Sequence, residues 1–188
     1  MKFIRCVLLG FVLVTSLASA QTDSTERAKM IGLRFSFNGL NLGGGLGGKY
    51  WFSSQSAIAA GINTAARSAV SSTSELTLGL FGQYEYHFLP KGQLSPYLAG
   101  GINLSYGVKE DTGSSGAKVS RTSFGAGISA IIGAEFFITP AISLAGQQAF
   151  GVSYTQSPSV YVPQLTQERW DVGLGSSSLI LHVYLGRI

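Results

Sequence analysis

Residues 75–89 read Glu-Leu-Thr-Leu-Gly-Leu-Phe-Gly-Gln-Tyr-Glu-Tyr-His-Phe-Leu, and they alternate without a break. Leu76, Leu78, Leu80, Gly82, Tyr84, Tyr86 and Phe88 share one face, while Glu75, Thr77, Gly79, Phe81, Gln83, Glu85 and His87 share the other. A period of two is that of a β-strand, and this run is long against a usual strand of about 5–6 residues. The apolar face ends in aromatics and the opposite face carries charge. Such a strand suits a soluble sheet with its charges in water. It equally suits a membrane-spanning wall, apolar toward lipid and polar toward a lumen.

The beginning of the chain favours the membrane. Lys2 and Arg5 precede a short apolar stretch over 7–14, and Ala18-Ser19-Ala20 supplies a small-residue cleavage site. Residues 1–20 therefore read as a secretory signal peptide, leaving 21–188 as one domain. The apolar stretch is shorter than the roughly 20 residues a spanning helix needs. The single cysteine, Cys6, lies inside this leader, so the mature chain is expected to hold no disulfide and no thiolate metal site.

Charged residues make up 12% of the chain, against about 25% in soluble domains. No helix-length apolar run follows the leader to account for that. Low charge without an apolar helix is what a membrane β-barrel shows, because half of its strand residues touch lipid. Thirteen basic residues face nine acidic ones, and two of the basic ones lie in the leader. That balance is too even and too dispersed for nucleic-acid binding.

Seven further segments follow the same alternation, at 30–38, 44–52, 57–67, 96–108, 121–138, 142–155 and from about 168 to the C-terminus. The strand over 121–138 is as regular as the one over 75–89. In the last segment Leu179, Leu181, Val183 and Leu185 form one face, whereas Trp170, Val172 and Leu174 have the other parity. A bulge near 176–178 would reconcile them. Short turns at 52–55, 90–95 and 139–141 alternate with longer polar connections at 68–74, 109–120 and 156–167. Short turns on one side and long loops on the other are the rule for outer-membrane barrels. The reading is an all-β, eight-stranded antiparallel up-and-down transmembrane β-barrel with both termini in the periplasm.

On its leader, alternation and strand count the chain resembles the small eight-stranded outer-membrane proteins, of the OmpA-transmembrane, OmpX and OmpW kind. The resemblance implies a monomer in the outer membrane of a Gram-negative bacterium, in contact with its lipids and with the barrel-insertion machinery. Such barrels usually end in an aromatic residue; this chain ends in Ile188. The resemblance to the OmpW kind also allows a narrow channel for small or hydrophobic solutes.

With the apolar faces outward, Arg34, Lys49, Glu85, His87 and Glu135 point into the lumen as a charge network, with Gln83 and Gln147 beside them. An interior of this size is usually filled by side chains. The network is therefore expected to be a plug, although glycines and serines at inward positions 79, 101, 125, 127, 129 and 133 leave room beside Trp51, Phe81, Tyr97 and Phe137. A soluble periplasmic barrel holding a hydrophobic ligand would invert every face, placing Arg34, Glu85 and Glu135 in water.

Other chemistry is weakly signalled. Gly43 to Lys49 matches the start of a phosphate-binding loop, but Tyr50 replaces the required hydroxyl and no helix follows. His87 and His182 are the two histidines; Ser177 and Ser178 lie near His182 without a placed acid. No catalytic site, cofactor or metal is expected. Lys109, Glu110 and Asp111 open what reads as a solvated external loop. Tyr161, Val162 and Leu165 are apolar for a loop, which marks them for contact with an external partner.

Overall fold

The computed structural model describes residues 27–38, 43–69, 73–89, 92–112, 118–158 and 166–187. Eight strands run through them: β1 Met30–Asn38, β2 Gly43–Trp51, β3 Ser56–Ala69, β4 Thr73–His87, β5 Leu94–Thr112, β6 Lys118–Thr139, β7 Ile142–Pro158 and β8 Thr166–Arg187. Each pairs antiparallel with the next, and β1 pairs with β8 to close an up-and-down barrel. Along that seam, where Met30–Asn38 face Ser178–Arg187, closure satisfies the backbone groups that an open sheet would leave bare, a requirement in lipid.

The period-two pattern sets the two faces. Leu80, Ile102, Ile128 and Trp170 point outward and are 57%, 65%, 65% and 69% exposed, while Arg34, Glu85 and Glu135 are 3%, 1% and 0% exposed inside. The inverted, ligand-carrying arrangement is therefore excluded: the apolar side chains wrap the outside and the charges are buried. Aromatic pairs recur on the outer face at both ends of the wall. Phe52 lies against Tyr84 and Tyr86 against Phe88 near the chain termini, and Tyr154 lies against Trp170 toward the other end.

Close inward packing depends on glycine at two cross-strand positions. Tyr97 pairs with Gly133, and Tyr184 lies beside Gly32. A Cβ at Gly133 would fall 2.6 Å from the Tyr97 hydroxyl oxygen, and one at Gly32 would fall 2.7 Å from Tyr184 Cδ1. Each ring lies over a bare backbone, which lets large aromatics fill a narrow tube.

Strand positions follow the alternation, but their ends do not. β5 continues through Lys109 to Thr112, pairing Lys109 with Glu75 and with Arg121 and Asp111 with Thr73 and Val119. The expected loop at 109–120 is thus mostly ladder. Polar residues lengthen a strand wherever a neighbour offers hydrogen bonds, and outside the apolar band no alternation is needed to do it.

The two parities of β8 are joined by a bulge. Gln148 of β7 faces Ser177, and Phe150 faces Leu174, so Ala149 spans both Gly175 and Ser176. The extra residue turns Trp170, Val172 and Leu174 outward together with Leu179 and Leu185. It begins one residue before the expected span and overlaps it at Ser176.

Candidate functional site

Inward side chains divide the lumen into two storeys. The storey near the chain termini is filled. Trp51 of β2, Tyr97 of β5, Phe137 of β6 and Tyr184 of β8 are buried there. Arg27, just before β1, closes the end with its guanidinium 3.9 Å from the Phe137 ring centre, donating to the Gly92 carbonyl.

Buried among these rings is a connected ionic cluster. Lys49 Nζ sits between two carboxylates, 2.6 Å from Glu85 Oε2 and 2.7 Å from Glu135 Oε2. These are the lengths of strong charge-assisted bonds. Glu135 Oε1 also accepts from the Tyr184 hydroxyl at 2.7 Å and from Ser143 Oγ, and lies 3.2 Å from His182 Nδ1. Glu85 Oε2 lies 3.1 Å from His87 Nε2, and Glu85 Oε1 accepts from Gln83 Nε2 at 2.5 Å. An isolated buried ion costs several kcal/mol. Here each carboxylate has a cation and further donors.

Arg34 lies at the upper edge of this cluster and is held more loosely. Its Nη1 is 3.4 Å from Glu85 Oε1, and its Nη2 is 3.3 Å from Gln83 Oε1 and 3.4 Å from Gln147 Oε1. Gln147 Oε1 also accepts from the Tyr97 hydroxyl at 2.9 Å. The structure thus brings Arg34, Lys49, Gln83, Glu85, His87, Glu135 and Gln147 into one network, drawn from β1, β2, β4, β6 and β7. Tyr161, Val162 and Leu165 lie outside the described residues.

The three metal-ligating side chains Glu85, His87 and Glu135 offer donor atoms within 4.8 Å of one another. Lys49 bonds an oxygen of both carboxylates, so its ammonium is the cation of this cluster.

One Ser–His–Glu chain and one Ser–His–Glu cluster, which sequence reasoning missed, also converge here. Ser95 Oγ is 2.9 Å from His87 Nδ1, whose Nε2 lies 3.1 Å from Glu85, whereas Ser143 Oγ and Glu135 both meet His182 at Nδ1, each at 3.2 Å, and Ser143 donates directly to Glu135. An acyl-transfer nucleophile has to meet its substrate. Ser95 and Ser143 are both 0% exposed, and neither lines the cavity described next. Inward parity at the starts of β5 and β7 would have found both serines. Arg27 precedes the first alternating segment, so no periodicity reaches it. Ser177, flagged beside His182, instead bonds to Gln148.

The second storey is open. A cavity of about 520 Å³ rises above Arg34, Gln83 and Gln147, walled by Ser36, Asn63, Phe81, Asn103, Ser129 and Ser153. The expectation of a filled lumen holds for the lower half; small inward residues leave the upper half empty.

No family model matches the sequence, and no curated protein matches it. Solved structures do share its fold. A major outer membrane protein from Thermus thermophilus aligns with a TM-score of 0.51 at 11% identity, over 83% of this chain and 98% of its own. Neisserial surface protein A aligns at 18% identity over 82% of this chain and 92% of its own, with a TM-score of 0.46. OprG from Pseudomonas aeruginosa aligns at 11% identity over 88% and 98%, also with a TM-score of 0.46. The likeness is one of fold, that of the small outer-membrane barrels.

Proposed function

We propose that the protein is a non-enzymatic integral outer-membrane barrel of a Gram-negative bacterium, with both termini in the periplasm and a structural or adhesive role at its loop end. The observation that carries this reading is the distribution of polarity: an apolar exterior, interrupted by Gln148 and Ser177 at the bulge, around a buried ionic cluster. In water an exterior of this kind would greatly exceed the few hundred Å² of contiguous apolar surface that monomers tolerate. In lipid it is the expected coat.

The adhesive reading draws support from β8. Its pairing with β1 runs from Ser178 to Arg187, so among the described residues Thr166 to Ser177 are laddered to β7 alone. An unpaired strand edge is a template on which another chain can add a strand.

A narrow channel is the second reading, favoured by the open upper storey and opposed by the ring-packed lower one. Fractionation, heat-dependent gel mobility and planar-bilayer recording test the scheme together. The protein is expected in the outer-membrane fraction, migrating differently before and after boiling, with an epitope inserted within 113–117 labelled on intact cells. Release by osmotic shock would sink the membrane assignment, and steady single-channel openings would replace the closed barrel with the channel.

A further inference from the structure

We propose that the upper storey is a binding site for a small carboxylate, received by Arg34 at its floor. Four observations converge on this. The first is the charge balance inside the barrel. Arg27, Arg34 and Lys49 are buried permanent cations, whereas Glu85 and Glu135 are the buried acids. Among the described residues that are buried, permanent cations therefore exceed acids by one before any histidine proton is counted. Uncompensated charge in such surroundings favours an anion nearby.

Second, of the two cations that share Glu85, Arg34 has the weaker hold. A guanidinium–carboxylate bond normally measures about 2.7–2.9 Å; Arg34 reaches Glu85 at 3.4 Å, while Lys49 takes the same carboxylate at 2.6 Å. Its other two contacts, to amide oxygens, are 3.3 and 3.4 Å. Third, Arg34 Nε is buried and makes no hydrogen bond. A guanidinium has five donors in a rigid fork suited to two oxygens at once; three are engaged here at long range, and Nε is not engaged.

Fourth, this side chain opens onto space. Arg34 lines the cavity, with its guanidinium carbon 5.0 Å from the centre of the Phe81 ring, which lines it too. Phe81 steadies the cation against one side. Ser36, Asn63, Asn103, Ser129 and Ser153 line the wall above with hydroxyls and amides. The acid among the lining residues, Asp171, is bound to Arg169 at 2.6 and 2.8 Å. A cavity of about 520 Å³ falls in the range of pockets that take small molecules, about 300–1,000 Å³. The geometry selects an anion small enough to reach the floor and able to hydrogen-bond the walls, and it disfavours cations.

Nuclear magnetic resonance on the full barrel in lipid nanodiscs tests this, with acetate and lactate as probes and acetamide and methylammonium as controls. Both carboxylates are expected to shift the Arg34 Nε–H resonance saturably, whereas the controls leave it in place. Arg34→Gln should abolish saturable binding. Should that variant not fold, Ser129→Trp fills the cavity without touching the ionic cluster, and is expected to weaken acetate binding at least tenfold. A linear response to carboxylate, an equal response to acetamide, or undiminished binding in the folded Ser129→Trp protein would each overturn the proposal.

Discussion

At the scale of single residues, Lys49 carries the greatest consequence. Removing it leaves Glu85 and Glu135 buried without the ammonium between them. Lys49→Met is expected to lower stability by about 3–5 kcal/mol, the usual cost of stranding one partner of a buried pair. Lys49→Met combined with Glu135→Gln removes one charge of each sign and leaves Glu85 to Arg34 and His87. That double variant should recover more than half of the loss. Denaturant titration in micelles, followed by tryptophan fluorescence, measures both, and a single variant as stable as the parent would remove Lys49 from its central role. Membership of this cluster was legible from parity alone for Arg34, Lys49, Glu85, His87 and Glu135. Parity does not say which acid takes which cation, because that depends on the stagger of non-neighbouring strands. Nor does it reveal Arg27, whose place is set by a turn before β1.

Among the elements, β8 is the most demanding, since it must present apolar residues of both parities to the outside. The bulge at Gly175 and Ser176 makes this possible. Deleting Ser176 forces one half of the strand to rotate its side chains, because a one-residue slip exchanges the two faces. Either Trp170, Val172 and Leu174 or Leu179 and Leu185 would then enter the lumen. The deletion is expected to abolish the heat-dependent mobility shift of the closed barrel; retention of the full shift would show that β8 closes without its bulge. The strands themselves were legible in the sequence, down to the need for this bulge, because each must keep an apolar row. The ends of β5 at Thr112 and β6 at Lys118 were not. Beyond the apolar band, backbone hydrogen bonding alone decides how far a ladder runs, and side-chain pattern carries no record of it.

For the whole molecule, the decisive arrangement is a sealed lower storey beneath an open upper one, held by a wall that joins β1 to β8. That seam also has a kinetic meaning. It pairs Met30 with Arg187, residues from opposite ends of the described chain. Contacts this remote in sequence form late, because the entropy of closing the intervening loop is met before they reward it. Arg34 on β1 bonds Gln147 on β7, and Trp51 on β2 donates to the Tyr184 hydroxyl on β8, so both contacts reach across the seam. These two contacts therefore complete as the seam shuts. Interactions made after the rate-limiting barrier slow unfolding and leave refolding nearly unchanged. Tyr184→Phe removes the acceptor of the Trp51 bond together with the hydroxyl's own bond to Glu135, and should hasten unfolding while sparing the refolding limb of a chevron plot; a slowed refolding limb would mean that the seam forms early. The buried side chains that reach across it would then act as a time-ordered catch, fastening the cylinder only after its last two staves have met.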